Sequence, residues 1–121
     1  MFINFTNHSC VTWSQKQIDA CKQYGEIEDI TFPSVPSSGS EDDIDILADK
    51  YVEIIMAKNP AAVLCQGEMT LCFAVVMRLT EKGVKVVSAC SERQTQEKIN
   101  ADGTTVKTAL FEFVKFRKYR K

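Results

Sequence analysis

The chain has one histidine, one tryptophan and three prolines among 121 residues, and a net charge of only −1. Each scarcity removes a class of function. Structural zinc needs four clustered donors. His8 stands alone, and the five cysteines (Cys10, Cys21, Cys65, Cys72 and Cys90) contain no CxxC spacing, so no metal or other cofactor is expected. An odd number of cysteines, mostly in apolar runs, fits buried thiols in a reducing compartment, and a cytoplasmic location is expected. No apolar run is long. The most extended, around Leu71–Met77, is far too short to span a bilayer, so no membrane partner is expected. The first residues turn polar at Thr6, unlike a secretory leader. The GxxxxGK[ST] pattern of a P-loop is missing. A near-neutral total excludes a generic nucleic-acid binder.

What is present is a core. Apolar residues make up 45% of the chain, and a domain of this length hides roughly two-thirds of its unfolded surface without needing staples. A single domain over residues 1–121 is expected. Charge is unevenly placed within it. Nine acids and one base lie between Glu26 and Glu53, whereas Lys115–Lys121 holds five bases and no acid. That basic end interleaves aromatics, a pattern seen in single-strand binding surfaces. The blander reading, a frayed and solvated end, is preferred.

Apolar runs alternate with capped amphipathic segments. Met1–Phe5 reads as a buried strand that breaks into Thr6, Asn7, His8 and Ser9. Ser14, with Gln17 three residues on, signals a helix start. Ile18, Cys21 and Tyr24 follow at helical spacing, and Gly25 closes the helix. Glu26–Phe32 reads as a second strand ended by Pro33, and Ser34–Ser40 as a loop. Ser40 caps a helix whose stripe is Ile44, Leu47, Tyr51, Ile54 and Ile55. Ala61–Cys65 reads as a third strand, apolar on both faces like a central parallel strand. Gln66, Gly67 and Glu68 turn into a third helix, Met69–Lys82, ended by Gly83. Val84–Ala89 reads as a fourth strand running out into Cys90, Ser91, Glu92 and Arg93. Beyond it, Thr95–Ile99 and Thr104–Phe113 flank Ala101-Asp102-Gly103, a hairpin signal.

The order β-α-β-α-β-α-β-β predicts a three-layer Rossmann-like α/β fold. Its sheet is mostly parallel with a flavodoxin-like order of 2-1-3-4, and a C-terminal antiparallel hairpin strand lies outside. Ligands in such sheets bind beyond the strand ends where the order reverses. Three segments converge there: Thr6, Asn7, His8 and Ser9; Gln66, Gly67, Glu68 and Thr70; and Ser91 to Arg93. Gly67 permits close backbone approach, and the helix start offers free N–H groups. Glu68 repels phosphate and suits a ribose hydroxyl or a base amino group. Arg93 is placed to clamp a phosphate.

The pieces "NFTNH", "LCQGEMT" and "SACSER" at these junctions resemble the small Rossmann-like CRISPR-associated proteins related to the CARF domain, of the stand-alone ring-nuclease type. The resemblance implies a homodimer that binds a cyclic oligoadenylate in type III CRISPR antiviral signalling, either as a binder alone or, like some of these proteins, cleaving it without a metal. It implies that Thr6, Asn7 and His8 lie beside one part of the ring, with Ser9 in the same loop. Gln66, Gly67, Glu68 and Thr70 would hold a nucleotide, and Ser91 and Arg93 would approach phosphate. His8 and Arg93 become the implied catalytic pair. Two alternatives stand beside it: a nucleoside- or nucleotide-processing hydrolase or transferase using Glu68, and a non-enzymatic interaction module using the hairpin edge and basic end.

Overall fold

The computed structural model describes residues 1–121. Four-residue apolar runs become central strands because both of their faces are covered. These are β1 (Phe2–Phe5) and β3 (Ala62–Cys65), buried at every position. They pair in parallel, with Phe2 opposite Ala62 and Phe5 opposite Cys65. Strand β2 (Ile27–Asp29) lies on the other side of β1, and β4 (Lys85–Ile99) lies beside β3. Strand β5 (Thr105–Lys118) runs antiparallel to β4. The sheet order is β2-β1-β3-β4-β5, so the fold is α/β on a five-stranded, mostly parallel sheet with an outer antiparallel strand, and the order matches that expected.

Three helices cover the sheet: α1 (Gln15–Cys21), α2 (Glu41–Met56) and α3 (Met69–Glu81). Alternation along the strands divides the core in two. Ile3, Phe5, Val63, Cys65 and Val86 pack with α2 and α3. Phe2, Ala62, Leu64 and Val87 pack with Cys21 of α1 and with Trp13, Tyr24 and Phe116. The helix starts obey their caps. Ser14 accepts the Gln17 amide, and at Ser40 a full capping box forms with Asp43. Gly25 closes the turn after α1 with φ of 94°, a left-handed value that favours glycine. No helix is long and apolar enough to cross a membrane.

Four expectations are corrected. Strand β2 stops at Asp29 instead of Phe32. The Ile30 amide still bonds to the Asn4 carbonyl of β1, and the Phe32 amide to the Thr6 carbonyl just past it, but Pro33 has no N–H with which to continue. On α2 the expected Ile44, Leu47, Tyr51 and Ile55 do pack on the core, but its buried line also takes in Ala48 and Val52, and Ile54 lies outside it, 37% exposed. The fourth strand does not end at Ala89: β4 continues from Lys85 to Ile99. Beyond Val87 its only partner is β5, so the two strands leave the sheet as a ribbon. From Ser91 to Ile99 it projects about 30 Å at the usual rise per residue. Nor is the basic end frayed. Lys115–Lys118 pairs with Val87–Cys90, and the Tyr119 amide bonds to the Val86 carbonyl.

Candidate functional site

The carboxyl ends of β1 and β3 open into a cavity of about 820 Å³. Thr6, Asn7 and His8 line it from the β1 junction, Gln66 and Gly67 from the β3 junction, and Ser91 from the base of the ribbon. Trp13, Gln94, Leu110, Phe111, Glu112 and Phe113 complete much of the wall. Glu112 is the only carboxylate in this lining, which holds no lysine or arginine.

The β1 junction is held by buried polar groups. Asn4 is 1% exposed inside an otherwise apolar strand, so its amide must find partners. Asn4 Nδ2 donates to Asp29 Oδ1 at 2.8 Å and to the His8 carbonyl at 2.7 Å. Thr6 Oγ1 donates to Asn4 Oδ1 at 2.8 Å and accepts the His8 amide at 3.1 Å. Ser9 Oγ donates to Asp29 Oδ2 at 2.8 Å, and the Cys10 amide donates to the same carboxylate. Burial pushes the Asp29 carboxyl up, but the hydrogen bonds from Asn4, Ser9 and Cys10 outweigh it and hold it below the ordinary carboxylate value. Thr6 and Ser9 therefore spend their hydroxyls on shaping the loop. The exposed side chains of Asn7 and His8 are left to face the cavity.

At the β3 junction, Gln66 Oε1 accepts the Ala89 amide at 2.9 Å and ties β3 to β4. Gly67 is required by packing. A Cβ there would stand 2.6 Å from the Phe32 ring. This is a packing reason that the sequence did not suggest. Glu68 is the N-cap of α3. Its carboxylate accepts the Leu71 amide at 2.8 Å, the Thr70 amide at 3.1 Å and the Thr70 hydroxyl at 2.7 Å. These bonds, that from Leu71 foremost, hold its carboxyl below the usual value. The free N–H groups expected at this helix start are thus taken by the chain's own carboxylate. Glu68 and Thr70 do not line the cavity.

Ser91 and Arg93 sit on the ribbon. Ser91 pairs with Phe113, and Arg93 with Phe111. Cross-strand partners share a face, so Arg93 stands beside a lining residue, at the rim and outside the lining itself.

The model of the uncharacterized protein MJ1673 family matches residues 1–117. The chain belongs to this family. The MJ1673 span takes in all three junctions and nearly the whole ribbon. No curated protein matches the chain.

Sequence reasoning overlooked Asn4, Asp29, Gln94, Phe111 and Glu112. Asn4 carried a readable signal, a lone amide in a buried strand. Asp29 carried none, because only the pairing of β2 with β1 brings it opposite Asn4.

Proposed function

We propose that this chain binds a cyclic oligoadenylate and opens the ring without a metal, as a CARF-related protein of type III CRISPR signalling. The observation that carries this reading is the cavity at the strand-order reversal, where Thr6, Asn7, His8, Gln66, Gly67 and Ser91 meet from three junctions. Open α/β sheets take nucleotide-like ligands at this point. In this reading the two helical faces and the sheet are the three layers of a Rossmann-like domain, working in the cytoplasm as a homodimer.

The lining suits bases and riboses better than phosphates. Asn7 and Gln66 offer amides, and Trp13 and Phe111 offer rings for stacking. The positive charge for phosphate comes from Arg93 at the rim. His8 takes the proton from a ribose 2′-hydroxyl, whose oxygen attacks the neighbouring phosphorus. Arg93 stabilises the pentavalent phosphorane. The P–O5′ bond then breaks, and the departing oxygen takes up a proton.

The test is incubation with cyclic tetra- and hexa-adenylate in the presence of a chelator, followed by mass measurement of complex and products. The expected result is one ring per two chains and linear products ending in a cyclic phosphate. Asn7→Ala weakens binding about tenfold, the worth of one good hydrogen bond. His8→Ala keeps binding and loses at least about a hundredfold in cleavage. Binding without products leaves a binder and removes the catalytic roles. Absence of both binding and products removes the proposal.

A further inference from the structure

Gln66 and Gly67 also line a second cavity, of about 430 Å³, on the side of α3. Beside it, Cys65 and Cys72 bring their sulfurs to 3.6 Å, the one thiol–thiol contact in the chain. Cys65 ends β3 and is closed to solvent. Cys72 lies in the first turn of α3, is 9% exposed and lines the cavity. The Tyr119 hydroxyl donates to the Cys65 carbonyl at 3.1 Å and stands 4.0 Å from Cys72 Sγ. Arg120 and Lys121 line the same cavity.

One sulfur is therefore reachable, and the other is sheltered in contact with it. We propose that Cys65 and Cys72 form a redox-active dithiol that exchanges with a small anionic disulfide of the glutathione class, with Cys72 attacking and Cys65 resolving.

The Cys65 thiol, as hydrogen-bond donor, draws the Cys72 thiol down to about 7 against the opposing effect of burial, with help from the Gly67 backbone. The Glu68 carboxylate that caps α3 acts in the opposite direction. Cys65 itself is pushed up, by that hydrogen bond and by burial. An attacking thiol near ambient pH is the effective one in exchange.

The Cys72 thiolate attacks one sulfur of the small disulfide. That S–S bond breaks, and one small thiolate leaves. The Cys65 thiol gives its proton to this thiolate, and its sulfur attacks Cys72 Sγ. The second small thiolate is expelled and takes up the proton that Cys72 had released. Two protein thiols become one protein disulfide, and the small disulfide is reduced to two thiols. Arg120 and Lys121 favour an anionic reagent. A disulfide spans about 2.05 Å, so closure draws the first turn of α3 onto β3, with Gln66 and Gly67 caught between. Thiol chemistry alone decides the matter, whatever the polar cavity holds.

The full chain is treated with oxidised glutathione under native conditions, quenched in acid, alkylated, and digested with trypsin. The peptide spanning residues 59–78 contains both cysteines. It is expected to be two hydrogens lighter, with neither cysteine alkylated, while Cys21 remains free. Cys65→Ser is expected to stop at a stable mixed disulfide on Cys72, and Cys72→Ser to leave Cys65 unreacted. Cationic cystamine is expected to react at least about tenfold more slowly. Alkylation of both cysteines in the treated natural chain would overturn the proposal, and that measurement needs no variant to fold. Cys65→Ser without a mixed disulfide on Cys72 would remove the attacking role, and equal rates for the two reagents would remove the anionic preference.

Discussion

Strands β1 and β3 and the β4–β5 ribbon are held by different forces. Every residue of Phe2–Phe5 and Ala62–Cys65 is buried, whereas none from Ser91 to Ile99 is. The central strands have neighbours on both sides and helices over both faces. A one-residue slip there would exchange the two half-cores, so burial pins the register. Beyond Cys90, β4 pairs with β5 alone, and only the base of the ribbon, at Phe113, is buried. Its register is set by the turn around Gly103, at φ of 87°, and by the irregularity between Cys90 and Ser91. The same local β geometry thus serves as rigid support in one place and as a solvent-exposed arm in the other.

The sharpest way to break this contrast is to remove one aromatic ring from each region. Phe5 is fully buried, with its ring centroid 4.8 Å from that of Phe32 and 5.2 Å from that of Tyr51. Phe5→Ala is expected to cost about 3–5 kcal/mol. Phe111 is 74% exposed, and Phe111→Ala is expected to cost no more than about 0.5 kcal/mol. Urea unfolding at unchanged slope reads both. Equal losses would mean that the arm is buried against a partner in solution.

A smaller effect is expected at Gly67, just past the end of β3. The Phe32 ring must shift to admit a methyl group, so Gly67→Ala is expected to cost about 1–3 kcal/mol. Phe32→Leu should then be less harmful in the Gly67→Ala background than in the natural chain. Additive losses would show that the ring is not what excludes the side chain.

The smallest effect concerns the polar support of the β1 loop. The Asp29 carboxyl lies below its ordinary value when folded. Its stabilising contribution is therefore present above the unfolded value of about 3.9, and is lost as pH falls through the folded one. Asp29→Asn is expected to flatten the acid limb of stability by no more than about 1 kcal/mol, because much of the group meets solvent. An unchanged acid limb would mean that the network around Asn4 does not depend on the charge.

The sheet order was legible because buried runs such as Ala62–Cys65 alternate with capped amphipathic helices. The hairpin was legible too, from Asp102-Gly103 between Thr95–Ile99 and Thr104–Phe113. The continuation of β4 through Ser91-Glu92-Arg93-Gln94 was not, because that polar stretch shows no apolar alternation. The three junctions were legible from topology, but the tasks of their residues were less so. Glu68 is an uncommon capping residue, and its occupation of the α3 terminus depends on a folded-back carboxylate that spacing does not reveal. Gly67 answers to Phe32, which lies far from it in the chain.

The two margins of the sheet differ as much as its centre and arm. A strand with one unpaired side is a template on which a neighbouring chain can add. On one margin β2 is only three residues long, and Glu28 there pairs with Lys58 at 3.2 Å. On the other, β5 runs for fourteen residues and carries Lys107, Lys115, Arg117 and Lys118. Brevity guards one margin and repulsion the other. The basic end of the chain, which composition alone left as a loose tail, serves there as a fence against aggregation.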